Sequence, residues 1–189
     1  MQLKESTPSS FPGAGDVLIA SPELDDPHFA ASIVYLISCD EEGAMGVILN
    51  RPVGKTLGHL LNSTSLPPFL QNLPLFYGGP VQADQFLLAL FSRASEAEHR
   101  LCCCLEPTAE EIESRIQSDT GWLRALVGYA GWSAGQLEAE CARGDWTWQP
   151  SDDALVRCGC NTHQWDLLHS GDERWQSLRP YFPKEWGRN

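Results

Sequence analysis

Short apolar runs separated by turn residues fill the first part of the chain, and this pattern predicts strands. The runs cover residues 16–20, 33–37 and 43–49, and they show no polar alternation. Such runs are typical of strands that are buried on both faces of a sheet. The acidic segment 40–43 ends in a glycine and predicts a four-residue hairpin loop between the second and third strands. We therefore expect residues 33–50 to form a buried antiparallel hairpin.

The third run contains a glycine and ends abruptly at polar residues. Gly46 lies inside the run, where glycine usually marks a bulge or the close approach of another backbone. Asn50 and Arg51 follow the last apolar residue, and Pro52 disfavours continuation of the strand. The sequence therefore places an amide and a guanidinium at the end of a rigid element.

Further strands and two capped helices follow in the second part of the chain. The additional strands are predicted at residues 75–77, 85–91, 100–105, 123–129 and 146–148, and a final helix at 162–169. Thr108 and Glu111 form a capping box that predicts one helix. Ser133 predicts the start of another, with Gln136 in the box position and Gly144 at its end. Hairpins with late helices indicate an α+β fold with a mostly antiparallel sheet.

Length and composition are those of one globular domain. The 189 residues are 42% hydrophobic, which is enough to bury a core without a metal or a disulfide. We expect a flexible polar leader at 1–14 and a single domain at 15–189, whose residues 149–189 form a tail packed on it. No apolar run approaches the length of a membrane span, and we expect no targeting segment and no membrane partner.

Charge and cysteine usage narrow the class of protein further. The net charge is −12, the pI is near 4.7, and no basic run occurs. Because nucleic-acid binders draw most of their affinity from Lys and Arg, this acidic balance makes DNA or RNA an unexpected partner. The seven cysteines form an odd set without framework spacing, which favours a reducing cytoplasm.

The cysteines also supply the candidate metal ligands, namely Cys158, Cys160 and His163 with Cys102 or Cys104. Cys-x-Cys is not the usual spacing of a structural zinc site, and the sequence contains no Cys-x-x-Cys. We expect that the cysteines fill strand positions as small apolar residues and that the chain holds no zinc, cofactor or disulfide. Since neighbouring strand residues face opposite sides, at least one thiol of the cysteine run that begins at Cys102 should be exposed.

Sequence motifs do not identify a catalytic residue. The sequence contains no Walker pattern and no dinucleotide fingerprint, and its one Gly-x-Ser-x-Gly, at residues 131–135, centres on Ser133. Ser133 is explained as a helix cap, and the five histidines are scattered. We therefore assign no catalytic residue.

Three stretches of the sequence resemble a known family in their residues, their order and their approximate spacing. They are GAMGVILNRP at 43–52, YGGPV at 77–81 and GYAGWSAGQLEAE at 128–140, and LIASP at 18–22 with DPHF at 26–29 fits as well. Over residues 15–148 the chain resembles the bacterial AlgH/YqgE family. The resemblance implies an α+β fold whose bifurcated, mostly antiparallel sheet closes partly into a small barrel flanked by helices. It implies no established enzymatic activity, and one named member is associated with transcriptional control of exopolysaccharide synthesis.

The family motifs also suggest one shared surface, because each contains the beginning or the end of a regular element. The candidate ligand or partner residues are Asn50, Arg51, Gly78, Gly79, Trp132 and Gln136. A guanidinium, glycine N–H groups, an aromatic face and an amide would suit an anionic or peptide-like ligand. The alternative is that the same residues only lock the fold, with Trp132 in the core and Arg51 paired to a carboxylate.

Three hypotheses for function follow. The first is a non-enzymatic cytoplasmic protein that acts through contacts with a protein or a small anionic ligand, with regulation as one such role. The second is a small-ligand-binding protein or enzyme with a shallow anion-accepting cleft near Asn50, Arg51, Gly78 and Gly79. The third is a DNA-associated transcriptional regulator, which would need the basic side chains to converge on one face.

The charge generates the first testable prediction, which is weak or absent DNA binding at physiological salt. A chain of net charge −12 repels phosphates, and counterion release needs several convergent cations. A gel shift with duplex DNA at about 150 mM salt measures this. Tight, salt-sensitive retention of the duplex would show that the cations do converge.

Overall fold

Nine strands and five helices make up the part of the chain that the structure describes. The structure is a computed structural model, and it describes residues 11–61, 66–95, 98–118, 121–152, 155–156 and 163–169. The strands are β1 (Asp16–Ala20), β2 (Ile33–Asp40), β3 (Gly43–Ile48), β4 (Pro52–Thr56), β5 (Pro74–Tyr77), β6 (Val81–Ser95), β7 (Glu98–Leu105), β8 (Gly121–Ser133) and β9 (Trp146–Pro150). The helices are α1 (Leu57–Leu61), α2 (Pro68–Gln71), α3 (Ala109–Gln117), α4 (Gln136–Arg143) and α5 (His163–His169).

The sheet branches at β8. Its main path runs in the order β4-β5-β8-β3-β2-β1-β9, and β6 with β7 forms an arm that also pairs with β8. Only the β5–β8 pairing is parallel among the described strands, so the predicted α+β fold with a mostly antiparallel sheet is confirmed. No pairing of the described strands joins the ends of the path. Partial closure into a small barrel therefore stays a prediction.

The hairpin of β2 and β3 is antiparallel and buried, as predicted. Val47, Ile48 and Leu49 are all fully buried, and they alternate between two cores on the two faces of the sheet. The predicted four-residue loop was too long. Asp40 pairs with Gly43, which leaves only the two acidic residues between them as the turn, because the strands keep their hydrogen-bonding register to that point.

Gly46 allows two backbones to approach closely, as its position inside the run predicted. It lies opposite Leu36 at a bulge in β2, where the register shifts before Ser38. A Cβ atom on Gly46 would lie 2.7 Å from the carbonyl oxygen of Tyr35 and 2.8 Å from Cγ1 of Val34. The absent side chain is thus a packing requirement of the hairpin.

Two cores lie on opposite faces of β1, β2 and β3. The main core contains residues of these strands together with residues of β6, β7 and β8. Tyr35 links its two sides, since its hydroxyl donates to the carbonyl of Leu101 at 2.8 Å and its ring meets Phe91 edge-on. The second core is covered by Leu137 of α4 and by Phe29.

A buried guanidinium also holds the main core together. Arg124 of β8 is only 4% exposed, and it donates to the carbonyl of Leu49 at 2.6 Å and to the carbonyl of Val156. Its guanidinium carbon lies 4.5 Å from the ring centroid of Phe76, which is a cation–π contact. Arg124 lies in the predicted strand 123–129, and the sequence pattern indicates no role for it.

The remaining elements agree with the sequence in kind but differ in extent. β6 and β8 are longer than the predicted 85–91 and 123–129, because β8 pairs with several strands along its length. The capping box at Thr108 is confirmed and begins α3. The second helix begins at Gln136 rather than at Ser133, which is still the last residue of β8.

The tail is described only in part. The final predicted helix is present as α5, and Trp165 in it donates from Nε1 to the carbonyl of Ala20 in β1 at 2.8 Å. Residues 1–10 of the leader and the candidate ligands Cys158 and Cys160 lie outside the described residues.

Replacing Gly46 tests the close packing of the hairpin. We expect Gly46→Ala to lower the free energy of unfolding by about 1–3 kcal/mol, because its Cβ would overlap backbone and side-chain atoms. Urea denaturation of the purified protein measures the change.

Gly131→Ala is the matched control. A Cβ at Gly131 would have no neighbour nearer than 3.7 Å, so the change should stay within about 0.5 kcal/mol. Equal effects of the two substitutions would contradict the packing argument.

Candidate functional site

A short loop between β1 and β2 forms one wall of the candidate site. This segment, residues 26–31, is called here the 26–31 loop. Asp26 shapes it, because Oδ1 accepts hydrogen bonds from the backbone N–H groups of His28 at 2.8 Å and Phe29 at 3.1 Å. The Asp side chain thus supplies a local turn, which is a common role for this residue type.

Arg51 clamps the loop from the end of the hairpin. Its Nη1 donates to the carbonyl of Pro27 at 3.2 Å, and its Nη2 donates to the carbonyl of Ala30 at 2.7 Å. Both acceptors are neutral main-chain groups. No carboxylate of a described residue lies within ion-pairing distance of Arg51, and the Asp26 carboxylate of the same loop acts on its charge only from a longer distance.

Asn50 fixes the other end of the loop from a fully buried position. Its Oδ1 accepts from the N–H of Ile33 at 2.9 Å, and its Nδ2 donates to the carbonyl of Ala31 at 2.8 Å. A buried amide without hydrogen-bond partners lowers stability. These two hydrogen bonds therefore fix the position of the chain at the start of β2. Asn50 serves the fold and is not accessible to a ligand.

Tyr77 and His28 form an accessible polar pair beside Arg51. The hydroxyl of Tyr77 and Nδ1 of His28 share a hydrogen bond of 3.0 Å. Burial raises the pKa of Tyr77 above its usual value, and nearby Arg51 opposes the rise only in part. Burial lowers the pKa of Arg51, while Tyr77 and Asp26 act in the opposite direction. The phenol is therefore protonated at neutral pH and acts as a hydrogen-bonding group.

The two motif glycines pack against β8 at the edge of this site. The N–H of Gly78 donates to the carbonyl of Val127 at 2.8 Å, and its carbonyl accepts from Ile48 at 2.8 Å. A Cβ on Gly79 would lie 2.2 Å from the carbonyl carbon of Tyr129. Gly78 and Gly79 are both buried, and the N–H of Gly78 is used within the sheet.

Trp132 belongs to an aromatic cluster under the 26–31 loop. It is 5% exposed and stacks on Phe29 with ring centroids 5.8 Å apart. Trp146 meets both rings edge-on. The indole N–H groups of Trp132 and Trp146 each donate to Oε2 of Glu140 at 2.8 Å. One carboxylate thus fixes two indoles and, through Phe29, supports the loop.

Gln136 is exposed but engaged in hydrogen bonds of its own. Its Oε1 accepts from the N–H and the hydroxyl of Ser133, both at 3.1 Å, and its Nε2 donates to Oε1 of Glu140 at 2.9 Å. It therefore links the start of α4 to the aromatic cluster.

The 26–31 loop connects the sequence-predicted residues. Arg51 binds its carbonyls, Asn50 holds its end, and Trp132 stacks on Phe29 within it. Gly78 follows Tyr77, whose N–H donates to the carbonyl of Arg51 at 2.8 Å. Beside Arg51, the groups that reach the surface are those of half-buried Arg51 and Tyr77 and of exposed His28. We call this set of three side chains the Arg51 surface. Gln136 is also exposed, but it lies with Ser133, which pairs with Gly43 at the other end of β3.

Sequence reasoning missed several residues of the site, namely Asp26, His28, Tyr77 and Glu140. The stretch 26–29 was noted only as part of the family opening. His28 and Tyr77 are 49 positions apart, so no local pattern could have paired them.

The cysteine run behaves as strand alternation predicted. Cys102 and Cys104 are exposed, and burial raises the pKa of the intervening Cys103 to about 12. Burial likewise raises the pKa of Cys141 to about 11. No group of three or more His, Cys, Asp or Glu side chains with the arrangement of metal ligands occurs in the described part of the chain.

A membrane-spanning helix is not found among the described helices, none of which is long and apolar enough.

Comparison with known proteins gives one consistent family. A family model described as AlgH-like matches residues 17–175, which extends past the stretch 15–148 that carried the resemblance. A UPF0301 protein of Stutzerimonas stutzeri is 39% identical over 171 residues, covering 85% of this chain and 83% of the relative. The UPF0301 protein AlgH of Pseudomonas aeruginosa is 36% identical over 161 residues, covering 82% and 84%.

Solved structures share the fold. The solution structure of the AlgH protein from Pseudomonas aeruginosa matches with a TM-score of 0.59 and 29% identity, covering 97% of this chain and 95% of that one. A crystal structure of a protein from Corynebacterium diphtheriae matches with a TM-score of 0.62 at 19% identity, covering 90% and 91%, which shows the fold alone. The matched region includes the whole Arg51 surface.

Asn50 generates a prediction about stability. We expect Asn50→Ala to lower the free energy of unfolding by about 2 kcal/mol or more, because it leaves a buried N–H and a buried carbonyl unpaired. Chemical denaturation measures the loss.

The matched control is Asn72→Ala. Asn72 is exposed at the end of α2, so its replacement should change stability by about 0.5 kcal/mol or less. If the two variants were equally stable, the locking role of Asn50 would be refuted.

Proposed function

The chain belongs to the AlgH-like family, and we propose that it acts by binding an anionic group of a partner protein or small ligand at the Arg51 surface, without catalysing a reaction. The observation that carries the proposal is the state of Arg51. Its guanidinium is fixed by two neutral carbonyls and has no carboxylate partner among the described residues. A positioned cation without an ion-pair partner is the group that an anion-binding surface needs.

The acidic character of the chain strengthens this argument. With 25 acidic and 13 basic residues, an arginine has many carboxylates with which it could pair. Arg51 instead uses two of its nitrogen atoms on the 26–31 loop, and a guanidinium has five N–H donors in all. The remaining donors are fixed in orientation, which lowers the entropy that binding would cost.

His28 and Tyr77 extend the surface with hydrogen-bonding groups. They are linked to each other at 3.0 Å, and Tyr77 lies directly before the motif glycines. Together with Arg51 they offer a cation, a phenol and an imidazole on one side of the loop. This set supports recognition of a carboxylate or phosphate oxygen.

The ionisation of the site favours binding over catalysis. The raised pKa of Tyr77 keeps its hydroxyl protonated, so it does not supply a base. The partly buried thiols of Cys103 and Cys141 also have raised pKa values, which opposes nucleophilic attack at neutral pH. We place the protein in the cytoplasm on its cysteine usage, and a regulatory role would follow from partner binding rather than from contact with DNA.

Anion binding is tested by thermal shift and calorimetry with defined probes. The probes are inorganic phosphate, citrate and one short peptide prepared with a free and with an amidated C-terminus. A ligand of the native state raises the melting temperature. We expect at least one anion to do so, and the free-acid peptide to bind more tightly than the amidated one if the natural ligand is a peptide.

The variants connect binding to the surface. Arg51→Ala should weaken the best probe by about tenfold or more, because it removes a charge-assisted hydrogen bond. Since Arg51→Ala also releases the loop and lowers stability, Tyr77→Phe and His28→Ala serve as milder changes that should weaken binding several-fold with little change in melting temperature.

Arg115→Ala is the control for net charge. Arg115 is exposed on α3, and its loss changes the charge by the same amount as the loss of Arg51. Equal affinity of the Arg51→Ala and Arg115→Ala proteins, or a wild-type protein that binds none of the probes, would refute the proposal.

A further inference from the structure

Three successive cysteines of β7 divide between two environments. Cys103 packs against the main core, as a small apolar residue would. Cys102 and Cys104 are exposed on the opposite side of the strand. Free cysteine is among the most buried residue types in proteins, so filling a strand position explains Cys103 but not its two neighbours.

The register of β7 brings the two exposed thiols onto one face. Cys102 pairs with Ser92 and Cys104 with Leu90 of β6, so neither position lies in a bulge. Residues two apart in a strand have their Cα atoms about 6.6–6.8 Å apart, and their side chains point the same way. The two thiols are therefore neighbours.

This spacing disfavours a disulfide within the pair. Disulfides usually join Cα atoms about 4.4–6.8 Å apart, with most near 5.5–6 Å, so the pair lies at the upper end of the range. Closing the bond would distort β7 while it is paired with β6. A metal ion inserted between the sulfurs lengthens the link and removes that conflict.

We propose that Cys102 and Cys104 form a two-coordinate site for a soft monovalent cation such as Cu(I). Each thiol gives up its proton and forms one sulfur–metal bond, so binding releases two protons and leaves a bis-thiolate complex of charge −1. The oxidation states of metal and sulfur do not change. Soft thiolate ligands select Cu(I), and the net charge of −12 attracts cations to this protein.

Zinc does not fit the same place. Structural zinc takes four ligands in a tetrahedral arrangement. The described residues provide no third Cys, His, Asp or Glu for a metal-binding group there, and Cys103 faces the other side of the strand. The Cys102–Cys104 site shares no residue with the Arg51 surface.

The test is an anaerobic titration of the full-length protein with Cu(I) in competition with bathocuproine disulfonate. Cys158 and Cys160 are a second Cys-x-Cys in the sequence, so two double variants are compared. The variant C158S/C160S should keep one tightly bound Cu(I) with two sulfur ligands by X-ray absorption. The variant C102S/C104S should bind one equivalent less than the wild type, and the single variants C102S and C104S should each show the same loss.

A loss of Cu(I) binding should not come from misfolding, because the side chains of Cys102 and Cys104 are both exposed. The circular dichroism spectra of the C102S, C104S and C102S/C104S variants should match that of the wild type. Unchanged Cu(I) binding by C102S/C104S would overturn the proposal. Loss of all tight binding in both double variants would also overturn it, since it would show one site built from four sulfurs.

Discussion

The fold depends on a constraint of hydrogen bonding at β8. A strand has only two edges, yet β8 pairs with β3, β5 and β6. It does so by exchanging a partner along its length. Residues 121–127 pair with β6 on one edge, while on the other edge residues 125–127 pair with β5 and residues 130–133 pair with β3. At the exchange point, a Cβ on Gly128 would lie 2.4 Å from the carbonyl oxygen of Gly79 and 2.8 Å from that of Val81. Glycine is required there because three backbones meet.

The branch explains why the family motifs meet in space. YGGPV ends β5 and begins β6, GAMGVILNRP is β3 with its exit, and the third motif covers the end of β8. Each motif thus supplies one strand end at the branch. Arg51 and Tyr77 lie where β3 and β5 end, and the 26–31 loop forms the wall beside them and contributes His28. The site is a consequence of how the sheet changes partners.

The sequence predicted those elements of the fold that depend on interactions between residues close together in the chain. The hairpin at 33–50 and the capping box at Thr108 depend on residues within a few positions of each other, and both are confirmed. The parallel pairing of β5 with β8 joins residues about 50 positions apart, as in Leu75 with Ala125, and no periodicity reveals it. The same holds for the pairing of His28 with Tyr77. The candidate residues came from the motifs, but their roles had to come from the structure.

Locking and binding are not alternatives for Arg51. From the sequence they were two separate hypotheses, because a guanidinium that forms an ion pair with a carboxylate has little charge left to bind an anion. In the structure Arg51 donates hydrogen bonds to two main-chain carbonyls, and because these acceptors are neutral, the guanidinium keeps its positive charge. Trp132 and Trp146 differ from Arg51 in this respect. Both of their indole N–H groups donate to Glu140, so neither indole has a hydrogen-bond donor left for a ligand. Trp132 therefore only supports the 26–31 loop, whereas Arg51 supports the loop and also carries a charge without an ion-pair partner among the described residues, which is why the proposed anion binding is assigned to Arg51.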